Sequence, residues 1–578
     1  MKKSFLISGI AAMLILMIFS GCKKYLDINS DPDTPQTPDA SSVFPAMLGA
    51  IPRGLQYDAR YASKYVQNFG SNTAGNVNNM ERHGYNAASD VNGDIWRQCY
   101  FGLGANLDYI IKSGSEKGQW DYVGAAQILK GMMFQYATDY HGEIIFTEAF
   151  VENKAFFKFD DQEVVYAGID SILRAGISNL SRTDLNATST RLAKGDYAYN
   201  GNVSRWIKLG WGLMARNYHR FTNKATYRAD SVIAFCNRSM SATDVNDDFL
   251  IPFDAAKNDD ANFFGIYRDN LTLFRQSDFI VKLLDGTILT SVAGNIPPTP
   301  ATWFNRDPRM KHMLTCSEDT TNGNGGFRGV AVGVGDPNAV LIEKTTFYPV
   351  GSANWINARK RVPLPWMDSS YQLAAGSVNP SASVFNPALK RYLFANNAVC
   401  PIMTSSEIQF MKAEAAFRSG DPGTALTAYT NGISLHFDFI NRSAFPRSNT
   451  FIYNGAPISA ADKLAYMNGN NVKRSVATLS ITDIMLQKYI ALWGWGFFET
   501  FVDMRRYHWL TDIDPATGLS VYKTMSFPVP FFADNLGKPV QRVRPRYNSE
   551  YVWNRNELLR IGALNLDYHT YECWFSKP

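Results

Sequence analysis

Residues 405–419 read SSEIQFMKAEAAFRS and residues 422–439 read PGTALTAYTNGISLHFDF. Both carry apolar residues at helical spacing with few breakers inside, so each predicts a helix. Gly420-Asp421 ends the first, and Pro422 suits the first turn of the second, where its missing N–H costs nothing. Ala413, Ala415 and Ala416 face a partner at close backbone approach, and Ala425 and Tyr429 continue the pattern on the second helix. The pair is a helix hairpin.

The same reading extends outward. Residues 94–113 (DIWRQCYFGLGANLDYIIKS) place Trp96, Tyr100, Leu103, Leu107 and Ile110 at steps of three and four, and residues 120–140 follow after a short polar turn. Residues 161–181 and 203–222 make another pair, 226–240 a further helix, and 480–506 return to helix. The hairpins resemble tetratricopeptide units, in which each pair buries its apolar face against the next, although their spacing here is not constant. The fold class is therefore all-α in the main: irregular tetratricopeptide-like helix pairs forming a superhelical scaffold over about 90–240 and 400–510. Residues 241–400 hold Gly, Pro, Asn and Asp clusters with short apolar runs, and predict a loop-rich ligand-binding insertion. Pro297-Pro298-Thr299-Pro300 is a stiff connector within it, and residues 526–578 predict an extended C-terminal wrap. Residues 41–578 form one unit in this reading.

The start of the chain reads as an address. Lys2-Lys3 precede an apolar run from Phe5 to Phe19, which is too short to span a bilayer and fits a signal peptide over residues 1–21. Ser20-Gly21-Cys22 resembles a lipobox, which makes Cys22 the lipidated residue and residues 22–40 a polar, Pro-rich tether. The membrane is then reached through the anchor only. Five cysteines follow, Cys99, Cys236, Cys316, Cys400 and Cys573, with no C-x-x-C; they read as buried small hydrophobes. A net charge of +5 over 578 residues argues against nucleic acid as a partner. Aromatic residues reach 13%, enough to fill a core and still leave rings for a binding surface.

Enzyme signatures are absent: no H-E-x-x-H, no G-x-S-x-G and no P-loop occur, and the seven His are scattered. No cofactor or metal site is expected. Asp512-Ile513-Asp514-Pro515-Ala516-Thr517-Gly518 looks slightly like a calcium loop, but Lys523 stands where a bidentate acid belongs, so a plain turn is the reading; Asp244 to Asp248 is weaker still. A sugar offers apolar C–H faces rimmed by hydroxyls, so a capturing site needs exposed rings beside amides, carboxylates or guanidinium groups. Three patches have that mixture: the amide-rich loop 68–82 with Asn72 and Asn76; the run 262–275 with Phe263, Phe264, Tyr267 and Arg268; and Trp303, Trp355 and Trp366 in irregular sequence. By contrast Trp96, Tyr489, Trp493, Trp495 and Phe498 sit on periodic helices and read as core. Arg505 and Arg506 suit a helix C-terminus, and Asp503 reaches Arg506 at i,i+3.

Several stretches, in order along the chain, resemble the SusD/RagB family of outer-membrane nutrient-binding lipoproteins. They are the post-anchor YLDINSDP from Tyr25, Trp96 with Tyr100 and Asn106, YHGEIIFTEA from Tyr140, Asp307-Pro308-Arg309, Ser406-Glu407 through Ala416, QKYIALW from Gln487, Glu499 with Asp503 to Arg506, and Pro545-Arg546-Tyr547 with Glu550 and Asn554 to Asn556. The resemblance implies four tetratricopeptide-like helix pairs with a loop-rich ligand face. It implies a lipid-anchored, non-catalytic protein on the cell surface. Its partner would be a TonB-dependent outer-membrane β-barrel (SusC-like), to which it passes a captured glycan or peptide. Few charges among the candidate rings favour glycan. A surface-anchored glycoside hydrolase, or a structural lid on the barrel with no ligand site of its own, are the alternatives.

Overall fold

The computed structural model describes residues 37–75, 77–186, 188, 191–290, 306–317, 319, 324–339, 351–366, 393–442, 445 and 456–578. Its first long helix, α1 (Ala40–Tyr65), has no counterpart in the sequence reading. Pro45 and Pro52 lie inside it, and each removes an intrahelical hydrogen bond, so the segment lacks the unbroken helical signature. What holds it is burial: Phe44, Met47, Leu48, Ile51 and Leu55 recur at helical spacing and enter the core. Asp39 caps its N-terminus by accepting from Ser41 N at 3.0 Å.

The segment 94–113 is a helix with a defect. A short turn, Asp94–Arg97, leads into a π-helical turn, Gln98–Gly102, and α2 (Gly104–Glu116) follows. The Leu103 amide reaches back five residues to the Gln98 carbonyl at 2.8 Å. Gly104 permits this, since a Cβ there would lie 1.9 Å from the Cys99 carbonyl oxygen.

The remaining helices follow the reading closely. They are α3 (Trp120–His141), α4 (Gln162–Leu180), α5 (Val203–His219), α6 (Ala229–Arg238), α7 (Ser405–Arg418) and α8 (Pro422–Asn441). The stretch 480–506 is two helices, α9 (Ile481–Leu492) and α10 (Phe497–Arg506), broken where Gly494 takes φ +88°. Each helix from α2 to α6 packs on the next; α6 packs on α7, and α7 on both α8 and α9. The scaffold is a ribbon of helix hairpins, the all-α arrangement expected. Ala413, Ala415 and Ala416 of α7 are fully buried, and α3 and α4 approach closely at Gly124 and Gly176. A Cβ on Gly124 would lie 2.9 Å from the Gly176 carbonyl oxygen.

Short antiparallel strand pairs close the loop-rich part. β1 (Phe69–Ser71) pairs with β3 (Phe274–Gln276), and β2 (Phe249–Ile251) pairs with β4 (Cys400–Met403), bringing together the two ends of the segment between α6 and α7. The chain after α10 returns over α3: Val543 N donates to the Tyr140 carbonyl at 2.8 Å, and Arg542 pairs with Glu143. The five cysteines from Cys99 to Cys573 are buried free thiols.

An ion network runs through the interior. Arg216 of α5 holds Glu407 of α7 at 2.5 Å, and Arg220 holds both Asp139 of α3 at 2.8 Å and Glu499 of α10 at 2.6 Å. Lys488 of α9 meets Asp503 of α10 at 2.8 Å, and Arg506 joins Asp503 at 2.6 Å to Glu414 of α7 at 2.7 Å. All of these side chains are buried. The i,i+3 pair read from sequence is therefore present, but Arg506 serves a buried carboxylate cluster as well as a helix end. Burial pushes the Glu414 carboxyl up, yet Arg506 and His219 more than offset it and hold it well below the usual carboxylate range. Removing one member leaves its partner charged and dry. Glu414→Ala is expected to lower the unfolding free energy by about 3–5 kcal/mol, read as a drop in the urea midpoint. Asp170→Asn, which breaks the exposed Arg174 pair at 2.9 Å, is expected to cost under about 0.5 kcal/mol in the same assay.

Candidate functional site

One face of α1, the π-helical turn and the segment 253–268 enclose an open cleft of about 600 Å³. From α1 come Ala46, Gly49 and Ala50, a small-residue stripe at helical spacing that leaves the cleft floor open, and Arg53 one turn beyond. The π-helical defect decides the second wall. It carries Phe101 into the cleft with 71% of its surface exposed, and Arg97 stands 5.7 Å from the ring centroid. Among the described residues Arg53 and Arg97 make no ion pair. The third wall holds Phe263, Asp259 and Arg268, with the Arg268 guanidinium donating to the Asn258 carbonyl at 3.2 Å and to Asp259 at 3.4 Å.

Asp58 of α1 fixes the start of the second wall. Its Oδ2 accepts from Ile95 N at 2.8 Å, and the carboxyl is fully buried. Burial pushes it up to about 8, against the pull of the Ile95 amide and Arg60, so it is largely protonated at neutral pH. Asp94, beside it, is raised by burial while Arg97 and Arg53 pull it down.

The structure brings together part of what the sequence singles out. Phe263 and Arg268 line the cleft. Phe263 presents little surface, because Tyr57 and the guanidinium groups of Arg60 and Arg268 pack around its ring. Tyr267 is on the adjoining turn, 47% exposed, with its amide held by Asn396 Oδ1 at 2.9 Å. Phe264 is not an exposed ring: it is buried against Phe263 and Phe497, because the turn at Gly265 sends it inward. Trp366 is likewise a core residue, 4% exposed. Asn72 is half-buried just after β1 and does not border the cleft. Trp355 lies on the helix Ala353–Lys360, with its side chain outside the described residues, as are Trp303, Asn76 and Cys22.

Phe101, Arg97 and Arg53 were not among the sequence candidates. The signal available for Phe101 is that it falls off the stripe defined by Trp96, Tyr100, Leu103 and Leu107: a large ring on the polar side of a helical pattern. The core assignments hold, with Trp96, Tyr489, Trp493 and Phe498 buried and Trp495 half-buried.

No group of three or more His, Cys, Asp or Glu side chains gathers into a metal site among the described residues. Asp514, in the calcium-like stretch, ends the first two-residue strand of a short hairpin and accepts from Ala516 N at 2.9 Å and Thr482 N at 3.1 Å. Asp248, in the weaker candidate, is tied to Arg442 at 2.5 Å. The cleft itself offers a stacking ring, two open guanidinium forks and one carboxylate: equipment for gripping a polyol. No described helix is long and apolar enough to cross a membrane.

A hairpin ribbon with an aromatic, arginine-lined cleft on its loop-rich side defines a helical binding protein. Residues 33–512 match the profile of the SusD-like family, described as "Starch-binding associating with outer membrane", and the chain belongs to that family. No curated protein matches the sequence. Among solved structures it is similar to a SusD/RagB family protein from Bacteroides thetaiotaomicron, at 19% identity and TM-score 0.61, covering 93% of this chain and 99% of that one. It is similar also to a chitin-binding SusD homolog from Flavobacterium johnsoniae, at 18% identity and TM-score 0.58, covering 93% and 98%. A third structure, titled a chitin-binding protein, shares 19% identity at TM-score 0.63 over 93% and 100%. At these identities the likeness is one of fold.

The Asp58 carboxyl gives a pH test of the wall. The folded state keeps its proton up to about pH 8, whereas the unfolded chain loses it near its ordinary 3.8. Between those values the folded state binds more protons, so this group's contribution to stability falls as pH rises, by about 1.4 kcal/mol per unit. Asp58→Asn, neutral at every pH, is expected to gain stability relative to the wild type from pH 5 to pH 7.5. Urea midpoints across that range check it; parallel curves for the two proteins refute it.

Proposed function

We propose that this chain is a cell-surface lipoprotein that captures an oligosaccharide in the cleft and delivers it to a TonB-dependent outer-membrane barrel. The observation that carries the reading is the exposed Phe101 ring with Arg97 and Arg53 open beside it in one concave site. A sugar ring stacks its C–H face on such a phenyl group, and guanidinium forks donate to its hydroxyls. The family description and the two chitin-binding relatives support the ligand class. The signal-like start, Cys22 and the following polar stretch support anchoring through lipid.

Capture without turnover is the reading for the chemistry. Glycoside hydrolysis uses a pair of carboxyl groups about 5–10 Å apart across the scissile bond. Asp259 is the one carboxylate bordering the cleft among the described residues, and Arg268 holds it.

Titration calorimetry with maltohexaose and chitohexaose tests the reading. Binding of at least one without release of shorter products is expected. Phe101→Ala is expected to weaken it tenfold or more, about 1.4 kcal/mol, with the melting temperature unchanged because the ring is exposed. Full affinity in Phe101→Ala places the ligand elsewhere. Co-purification of a β-barrel with the full chain from outer membranes tests the delivery step.

A further inference from the structure

A second concave surface, of about 470 Å³, shares no lining residue with the cleft. Two large rings border it, Trp553 at 68% exposure and Phe156 at 66%. Rings this open are the exception in a chain whose other described tryptophans are at least half-buried.

The frame beneath them is fixed. Asn554, next to Trp553, donates to the Phe157 carbonyl at 2.9 Å and accepts from the Phe157 amide at 3.4 Å. Glu557 accepts from Phe159 N at 3.0 Å, and Arg560 reaches the Phe159 carbonyl at 2.7 Å. The loop bearing Phe156 and the C-terminal segment bearing Trp553 are thus stitched through buried Asn554, half-buried Glu557 and the more exposed Arg560, and the two rings are left outward. The carboxylates of this surface are committed: Glu148 to Lys154 at 2.5 Å and to the Lys158 amide at 2.7 Å, Glu557 to Arg560 at 2.8 Å. Asn556 and Arg555 border the same surface, and the Lys158 ammonium lies close enough to Glu148 and Glu557 to draw both carboxyls down. Stacking faces with N–H donors at the rim repeat the chemistry of the cleft. The loop is also joined to the turn that carries Phe101, through Tyr100 and Phe150 with ring centroids 6.5 Å apart.

We propose that Trp553 and Phe156 form a second saccharide-binding platform, which engages a polysaccharide chain beyond the units held in the cleft. The ligand class rests on the function proposed above; the platform itself rests on the two rings and their frame. Two weak sites on one chain raise the retention of a polymer without altering that of a short oligomer.

The test is affinity electrophoresis of the detergent-solubilised full chain through native gels containing soluble starch, glycol chitin or polygalacturonate, with calorimetry on the matching trisaccharide. The wild type is expected to be retarded by at least one polymer. The double variant Trp553→Ala/Phe156→Ala is expected to lose fivefold or more of that retention, with trisaccharide affinity and melting temperature unchanged. Phe101→Ala is expected to lose both. Wild-type retention in the double variant overturns the platform and leaves the cleft standing. Failure of every polymer and trisaccharide to bind the wild type overturns both readings. Loss of barrel co-purification with polymer retention intact makes the surface a protein-docking site and overturns the saccharide proposal.

Discussion

Glu499 sits where helices from distant parts of the chain meet. Arg220 grips it at 2.6 Å, Arg216 approaches at 3.4 Å and Lys488 at 3.6 Å, all out of water. Through Arg220 it is bound to Asp139 on α3, through Arg216 to Glu407 on α7, and through Lys488 and Asp503 to Arg506 and Glu414. Apolar faces alone would let a hairpin ribbon slide or twist in small steps. A chain of buried, mutually paired charges tolerates no such drift, because each step strands a charge. We regard this network as setting the register in which the hairpins stack, and therefore where the loop-rich side hangs.

Most of the stretches that mark the family lie on this frame; the one from Trp96 to Asn106 instead spans the π-helical turn that walls the cleft. Glu407 and Glu414 come from the α7 stretch, Lys488 from QKYIALW, Glu499, Asp503 and Arg506 from the one after it. Arg309 of Asp307-Pro308-Arg309 is buried as well, paired with Asp307 at 2.6 Å and donating to Gln487 at 2.9 Å. Glu143 of YHGEIIFTEA holds Arg542 of the returning C-terminal segment. Most of the motifs thus identify the scaffold, whereas the cleft is walled by α1, the π-helical turn and the 253–268 loops.

That division explains what could be read from the sequence. The hairpins were legible because α3 to α8 are apolar at helical spacing or apolar nearly all round, with few breakers inside and turn residues between them. α1 was not, since two prolines interrupt a pattern whose apolar stripe is otherwise regular. Phe264 and Trp366 look like binding residues because rings among polar neighbours in irregular sequence carry no period to show which way they point; both turn inward. Phe101 was hidden for the opposite reason. It sits inside a strongly periodic segment but off its apolar stripe, and the π-helical turn that carries it forms a wall of the cleft.

The start of α1 has a mechanical meaning. The Pro38 carbonyl accepts from the Tyr109 hydroxyl on α2 at 2.7 Å, and Asp39 accepts from Gln119, at the head of α3, at 3.1 Å. Tension arriving along the residues before Pro38 is therefore taken up by the α2–α3 hairpin before it reaches α1. Arg53 stands 14 positions beyond Asp39, so these two hydrogen bonds lie between the chain's entry into the fold and the cleft wall.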